Sequence, residues 1–373
     1  MKINREDFLK QLESVLPGLS TKEIIEQSSC FIFKDKRVYT YNDEIACSQK
    51  SLLKIEGAVP AMPLILSLRK LKAETLEVNV NDDKSQLLID VSKNERFWLH
   101  MEAVITLPVD KIDKPKKWKK LAENFADAIS IVYPCAKSSS GSSVWEVVEC
   151  VHIAPKFIEA TDNHQVTRYR IKTPVDKDIL LRKETAKFLI PFEMAEFSET
   201  KHWTHFRNAD GLILSCRHIS EDYLSSGDIL QVLKTKGEPL ALPKGLKETV
   251  EKAEIFSSEN PFDDLVSVTL KKGKFRIVGT GTFGGFREKK KSKYTGKTIQ
   301  FTIPPKLLLE LVQHYNECEV TESRLKVKGS KFVYVTVLGV VEKKEDFTDT
   351  KEDSRFPERN LNHQKDVLDF TIE

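Results

Sequence analysis

The chain repeats itself at a spacing of about 122 residues, and nothing else in it restricts the possible folds as strongly. A strand running into an amphipathic helix is read at Ala58-Val59-Pro60-Ala61-Met62-Pro63-Leu64-Ile65-Leu66 and at Phe301-Thr302-Ile303-Pro304-Pro305-Lys306-Leu307-Leu308-Leu309. Between them lies the middle copy, Ile179-Leu180-Leu181-Arg182-Lys183-Glu184-Thr185-Ala186-Lys187-Phe188-Leu189, where Arg182 stands in the place of a proline. A period of that length is a whole small domain rather than one turn of a solenoid. With 373 residues, 40% of them hydrophobic, the chain can give each of three such domains its own core.

Each repeat reads as helix, strands, helix, strands, an α+β architecture with two amphipathic helices packed on antiparallel sheet. In the first, Phe8, Leu9, Leu12, Val15 and Leu16 share a helical face that Pro17-Gly18 ends. Strands are expected at 30–33, 37–41, 75–80, 86–91 and 97–105, with a second helix over 62–71. In the second repeat, Trp118, Leu121, Ala122, Phe125, Ile129 and Val132 predict one helix closed by Pro134, and a second helix is expected over 184–197. Strands are expected there at 146–153, 157–160, 165–172, 202–206 and 212–218, after a Ser-rich loop over 138–143. The third repeat has a helix through Leu246, Val250, Ala253 and Phe256, strands at 265–270 and 275–280, a helix over 306–316, and strands at 324–328 and 332–337. The expected domains are 1–110, 111–238 and 239–341, with a charged, aperiodic tail over 342–373. Three such domains in a line leave sheet edges open at both ends, a liability that ring closure with a second chain removes.

Lys and Arg number 59 against 56 Asp and Glu, a net charge of +3, so a nucleic-acid surface can arise only by segregation of charge. Six scattered cysteines without Cys-x-x-Cys spacing, and an N-terminus without a charged-then-apolar leader, lead us to expect a reducing cytoplasm. No apolar run approaches the roughly 18 residues that span a bilayer, so no membrane partner is expected.

Gly279-Thr280-Gly281-Thr282-Phe283-Gly284 matches the spacing of a phosphate-binding loop. Its continuation, Phe286-Arg287-Glu288-Lys289-Lys290-Lys291, does not open a helix, and no kinase catalytic loop follows. A glycine-rich exit from a strand is the simpler reading. A nucleotide-dependent enzyme built on this loop remains one alternative, and a scaffold that binds only proteins another. His202 and His205 fall on opposite faces of one expected strand, and Cys216 with His218 adds no complete ligand set, so no metal or other cofactor is expected. No nucleophile, base and orienter can be assembled, so no catalytic residue is assigned.

Basic residues recur on corresponding helices: Arg5 and Lys10, Arg69, Lys70 and Lys72, Lys116, Lys117, Lys119 and Lys120, then Lys187, Lys247 and Lys306. Lys111, Lys114, Lys183 and Lys244 belong to the same runs. Helices repeated around a ring would line a channel with positive charge that holds phosphates without reading bases and permits sliding.

The turn Ala160-Thr161-Asp162-Asn163-His164-Gln165-Val166 resembles the Ala-Thr-Asp-Gly-His-Arg-Leu signature of bacterial sliding clamps, the β subunit of DNA polymerase III. Tyr41-Asn42-Asp43 resembles the corresponding turn of the first repeat, Ala58-Val59-Pro60-Ala61 the start of its second helix, and residues 328–337 the family's last hairpin. The resemblance covers roughly residues 1–340 and implies a head-to-tail homodimer in which six domains encircle double-stranded DNA, helices inside and sheets outside. It further implies a processivity factor without enzymatic activity, with a DNA polymerase and a clamp loader as partners. Partner peptides carrying Gln and Leu or Phe would enter an apolar pocket lined by Thr161, His164, Gln165 and Val166, with Val335 and Val337 opposite.

The chain departs from the family pattern where Gln165 replaces Arg, where Asp222-Tyr223 lacks the preceding Phe-Pro, and where Leu338-Gly339-Val340 and a tail replace the short Met-Pro-Met-Arg-Leu ending. Such changes fit a divergent clamp, for example one that a phage encodes for its own replisome in the host cytoplasm. In the tail, Gln364-x-x-Val367-x-x-Phe370 resembles a clamp-binding peptide.

Overall fold

The computed structural model describes residues 1–139, 147–219, 221–257 and 264–341. The Ser-rich loop, from residue 140, and the tail with its peptide-like Gln364 to Phe370 lie outside the described residues.

The first repeat begins with β1 (Lys2–Asn4), α1 (Arg5–Ser14), β2 (Cys30–Lys34), β3 (Arg37–Tyr41) and β4 (Ile45–Lys50). It continues with β5 (Gly57–Pro60), α2 (Ala61–Lys70), β6 (Thr75–Val80), β7 (Gln86–Ser92) and β8 (Glu95–His100). The second holds β9 (Lys119–Lys120), α3 (Phe125–Val132), β10 (Cys150–Ala154), β11 (Phe157–Thr161) and β12 (Gln165–Arg170). After these come β13 (Ile179–Arg182), α4 (Lys183–Ala186), β14 (Glu196–Glu199), β15 (Trp203–Arg207) and β16 (Ile213–Arg217). A connecting helix, α5 (Ser226–Leu233), leads to β17 (Glu238–Ala241), α6 (Leu246–Ser257), β18 (Val266–Lys271), β19 (Lys274–Gly281) and β20 (Gly284–Lys291). The chain closes with β21 (Ile299–Ile303), α7 (Pro305–His314), β22 (Glu317–Val320), β23 (Arg324–Lys328) and β24 (Phe332–Val337). Each repeat is thus strand, helix and three strands, written twice. Helices α2, α4 and α7 begin at residues 61, 183 and 305, so the interval of 122 read from the sequence is the interval between equivalent helices.

Local chemistry accounts for the elements. The Asn4 side chain accepts hydrogen bonds from the Glu6 and Asp7 N–H groups at 2.9 and 3.0 Å, and those acids suit the positive end of α1. Phe8 and Leu12 are fully buried beneath the helix, about 1.5–3 kcal/mol each. In β2 the four residues Cys30, Phe31, Ile32 and Phe33 are all buried, which is why it reads as an unbroken apolar run.

By packing, the described residues form two compact units, Met1–Leu242 with His314–Leu338, and Pro243–Gln313 with residues 339–341. The first unit holds a four-stranded sheet, β1-β6-β7-β8, and two eight-stranded ones, β5-β2-β3-β4-β16-β15-β14-β9 and β13-β10-β11-β12-β24-β23-β22-β17. The second unit holds β20-β19-β18-β21, with α6 lying on β19 and β20. All pairings are antiparallel. The eight-stranded sheets arise where half-sheets of successive repeats join, β4 to β16 through Ile45↔Cys216 to Ser48↔Ile213, and β12 to β24 through Gln165↔Thr336 to Tyr169↔Phe332. Strands β8 and β20 hold the equivalent positions, and each ends its sheet.

Several sequence expectations are corrected. The helix expected from Trp118 starts only at Phe125, because Lys119 and Lys120 are drawn into a ladder with Phe197 and Glu196 and Leu121 donates its N–H to Ala195. The helix expected over 184–197 stops by Leu189, since Pro191 supplies no N–H and β14 begins at Glu196. The last strand of the first repeat is Glu95–His100 rather than 97–105, and strands β4 and β20 and helix α5 were not expected.

Candidate functional site

The Thr161 turn is built by its own side chains. The Asp162 carboxylate accepts from the His164 and Gln165 N–H groups at 2.9 and 2.8 Å, and from the Gln165 side-chain amide at 3.0 Å. Thr161 donates its hydroxyl to the Gln165 carbonyl at 2.6 Å, while Asn163 takes φ 74°, a conformation Asn tolerates. Asn42 and Asp43 repeat the arrangement in the first repeat, with Asn42 Oδ1 accepting from Glu44 and Ile45 and Asp43 at φ 77°. The turn is tied to the last strand: Val337 donates its N–H to the His164 carbonyl at 2.8 Å, and the Tyr334 hydroxyl donates to Gln165 Oε1 at 3.0 Å.

Thr161, His164, Gln165, Val166, Val335 and Val337 line one cavity of about 280 Å³, within the first unit. Its floor is a buried cluster of Val166, Ile229, Leu233 and Val335, against which Tyr223, Val232 and Val333 pack. Burial pushes the Tyr223 hydroxyl pKa well up. The wall from α5, with Asp228, Ile229 and Val232, and Leu224 just before it, was missed by sequence reasoning, as was Arg324, which donates to the Thr235 hydroxyl at 2.8 Å. The spacing of Ile229, Val232 and Leu233, three and four residues apart, was the available signal. An apolar floor with a few polar groups at its rim suits an extended peptide that inserts one or two apolar side chains.

The basic residues divide by element. Lys10 on α1, Lys70 on α2, Lys247 on α6 and Lys306 on α7 are exposed, as is Lys72 just after α2. Arg5 is held against the end of α2, donating to the Ala73 and Leu68 carbonyls at 3.0 and 3.4 Å, and pairs with Glu6. Arg69 pairs with Glu13 at 2.8 Å, Lys187 with Glu184, and Lys247 lies 3.9 Å from Glu251. Lys116 and Lys117 precede β9, and Lys119 and Lys120 form it, so these four stand at a sheet edge rather than on a helix; Lys119 pairs with Asp176. The helices are not uniformly basic, since α1 also carries Glu6, Asp7 and Glu13, and α6 carries Glu248, Glu251 and Glu254.

The Gly279 motif is a β-hairpin, not a cradle before a helix. Gly279 and Gly281 lie in β19, Gly284 opens β20, and a Cβ on Gly279 would stand 2.1 Å from the Ala253 carbonyl oxygen of α6. The glycine is there because the helix backbone crosses the strand at that point. All six cysteines are buried and none forms a disulfide, and burial raises the Cys47 thiol pKa to about 12, which leaves no reactive thiolate there. His205 is buried between Ser215 and Thr200, at 2.8 and 3.0 Å, whereas His202 is exposed. Among the described residues no group of three or more His, Cys, Asp or Glu is placed to hold a metal ion, and no helix is long and apolar enough to cross a membrane.

No protein-family model matches the chain, and none of the curated proteins does. Among solved structures, it is similar to the sliding clamp (DNA polymerase III subunit beta) of Pseudomonas aeruginosa bound to griselimycin, with TM-score 0.78, 14% identity, and coverage of 91% of this chain and 99% of that one. The DNA polymerase III beta subunit of Thermotoga maritima gives TM-score 0.76 at 12% identity over 91% and 99% of the two chains. That of Streptococcus pneumoniae gives 0.75 at 14%, with the same coverage. The chain has the sliding-clamp fold.

Proposed function

We propose that the chain is a DNA sliding clamp, a non-catalytic processivity factor that closes head to tail with a second copy around duplex DNA and tethers a DNA polymerase. The observation that carries this reading is the topology of the joins. Two of the three possible first-half edges, β4 and β12, are already paired to the second-half edges β16 and β24. The remaining pair, β20 and β8, sits at the end of one sheet each, so a second copy completes the series and removes both open edges. Charge favours the same closure. Residues 271–297, around β20, hold ten Lys or Arg and one Glu, whereas residues 74–102, around β8, hold seven Asp or Glu and three Lys or Arg. Opposite fields on two edges meant to meet speed and orient their encounter.

On this reading the clamp domains are 1–110, 111–238 and 239–341, and the helices face DNA. Exposed Lys10, Lys70, Lys72, Lys247 and Lys306 are the proposed phosphate contacts, with Arg69 and Lys187 able to exchange their carboxylate partners for phosphates. Arg5 serves the fold, and the four lysines at 116–120 drop out of the set because they are not on a helix. Polymerase and clamp loader would dock short peptides in the Thr161 cavity, whose buried apolar floor supports that assignment. Light scattering on the purified chain tests ring closure: a mass near twice the 42.7 kDa of one chain is expected, and a monomer at every salt concentration would refute it.

A further inference from the structure

The register makes the two in-chain joins comparable residue by residue. Ala46 pairs with Ser215 as Val166 pairs with Val335, and Trp203 pairs with Arg217 as Arg324 pairs with Val337. Tyr41 stands opposite Ala46 as Thr161 stands opposite Val166. Tyr41, Trp203 and Arg217 therefore occupy the positions of Thr161, Arg324 and Val337, three residues of the cavity described above. They also line a cavity, of about 400 Å³, at the β4–β16 join. In both places the connection between repeats supplies the outer wall: α5 in one, the turn Val109–Lys111 in the other.

The two linings differ in chemistry. At the β4–β16 join the floor is aromatic: Trp203 is 4% exposed and lies 6.1 Å from the Tyr41 ring, within a core that includes Ile32, Leu107 and Val109. The rim is cationic. Arg217 is 5.5 Å from the Trp203 ring centroid, and Lys111 and Lys201 are exposed, with no ion-pair partner among the described residues. No carboxylate is among the residues that line the cavity; Asp43 lies 2.7 Å from Arg217, and Asp113 accepts the His202 N–H at 3.0 Å. His218 Nε2 is buried without a partner.

We propose that this cavity is a second peptide-docking site, selective for an extended acidic segment of a partner protein that seats an apolar side chain near Trp203. The inference rests on the reading of the Thr161 cavity as a peptide site, because equivalence of position is what assigns a peptide to this one. Charge then sets its class, since Lys111 and Lys201 attract carboxylates and repel basic segments. A nucleic-acid strand fits less well, because the buried Trp203 and Tyr41 rings offer no open face for a base to stack on.

The test is fluorescence anisotropy of the full chain with a fluorescein-labelled octapeptide of aspartates and glutamates around one central phenylalanine, at about 50 mM salt, where surface charges act over more than 10 Å. Binding is expected, weakened at least about tenfold in a Lys111→Glu, Lys201→Glu double variant, absent for the same peptide with amides in place of acids, and unchanged by Val337→Glu at the other cavity. Equal affinity in the double variant, equal binding of the amide peptide, loss through Val337→Glu, or displacement by an equimolar oligothymidylate would each overturn the proposal. Both lysines are exposed, so a melting temperature matching the parent confirms that the double variant is folded. A glutamine-and-leucine peptide that fails to bind at the Thr161 cavity would count against that reading alone, because the acidic peptide reports on Lys111 and Lys201.

Discussion

Replacing Gly279 by alanine separates two accounts of the glycine-rich motif by the sign of a stability change. The added methyl would lie 2.1, 2.8 and 3.0 Å from the carbonyl oxygen, carbonyl carbon and Cα of Ala253, all of them backbone. Nonbonded carbon atoms settle near 3.5–4 Å, so α6 must withdraw by about 1 Å or more. Leu246, Val250 and Ala253 are buried along that helix, and withdrawing it loosens the packing of all three. Overpacking of this kind costs about 1–3 kcal/mol. Against it stands the stiffer unfolded chain, which at a position with ordinary φ returns about 0.4–1 kcal/mol. The net expectation for Gly279→Ala is a loss of about 1–2 kcal/mol, or roughly 2–8 °C in melting temperature. Thermal unfolding followed by circular dichroism measures it, with Thr280→Ala at the exposed neighbouring position as a control expected within about 0.5 kcal/mol of the parent. A phosphate cradle needs open space at that glycine. A melting temperature equal to or above the parent's, with loss of nucleotide binding, would refute the packing account and restore the nucleotide reading.

Acidification should weaken the sheet that joins the first two repeats. Burial holds the His205 pKa near 4 against an ordinary 6.5, so the unfolded chain takes up a proton below about pH 6.5 that the folded chain refuses until about pH 4. Stability attributable to this residue is therefore present above pH 6.5 and declines through that window by up to about 3 kcal/mol, and urea titrations of His205→Gln should show that part of the slope gone. Val337→Glu, on a half-exposed side chain of the Thr161 cavity, should leave stability within about 0.5 kcal/mol while lowering affinity for a glutamine-and-leucine peptide at least about tenfold. Replacing Lys10, Lys70, Lys247 and Lys306 together by alanine should leave the solution mass unchanged and reduce the salt dependence of DNA binding, by about 0.9 in log–log slope for each phosphate that the variant no longer neutralises.

What could be read from the sequence depended on whether a segment's own side chains carry the pattern of the element it forms. Strands β23 and β24 were legible to the residue, because their apolar and β-branched pattern is bounded by turn residues on either side. Strand β4, Ile-Ala-Cys-Ser-Gln-Lys, was not, since its small and polar side chains show no apolar alternation and its ladders to β3 and β16 hold it in place. Strand β20 is too basic to look like a strand and exists through its ladder with β19. The helix read from Trp118 failed in the opposite way: apolar residues at helical spacing continued past the place where pairing with β14 takes over. The same division runs through the candidate site. Thr161 to Val166 announced a turn and Val335 and Val337 an alternating strand, whereas the α5 wall is one short amphipathic helix whose packing partners come from other elements.

Encirclement of DNA is a topological property, and its most direct measurement is retention of the chain on closed-circular DNA before and after linearisation. A ring of two copies loaded on a nicked circle should stay bound through gel filtration at a salt concentration that abolishes simple charge attraction, and should leave when a restriction enzyme cuts the circle. Equal retention on circular and linear DNA, or release from both as salt rises, would contradict the clamp.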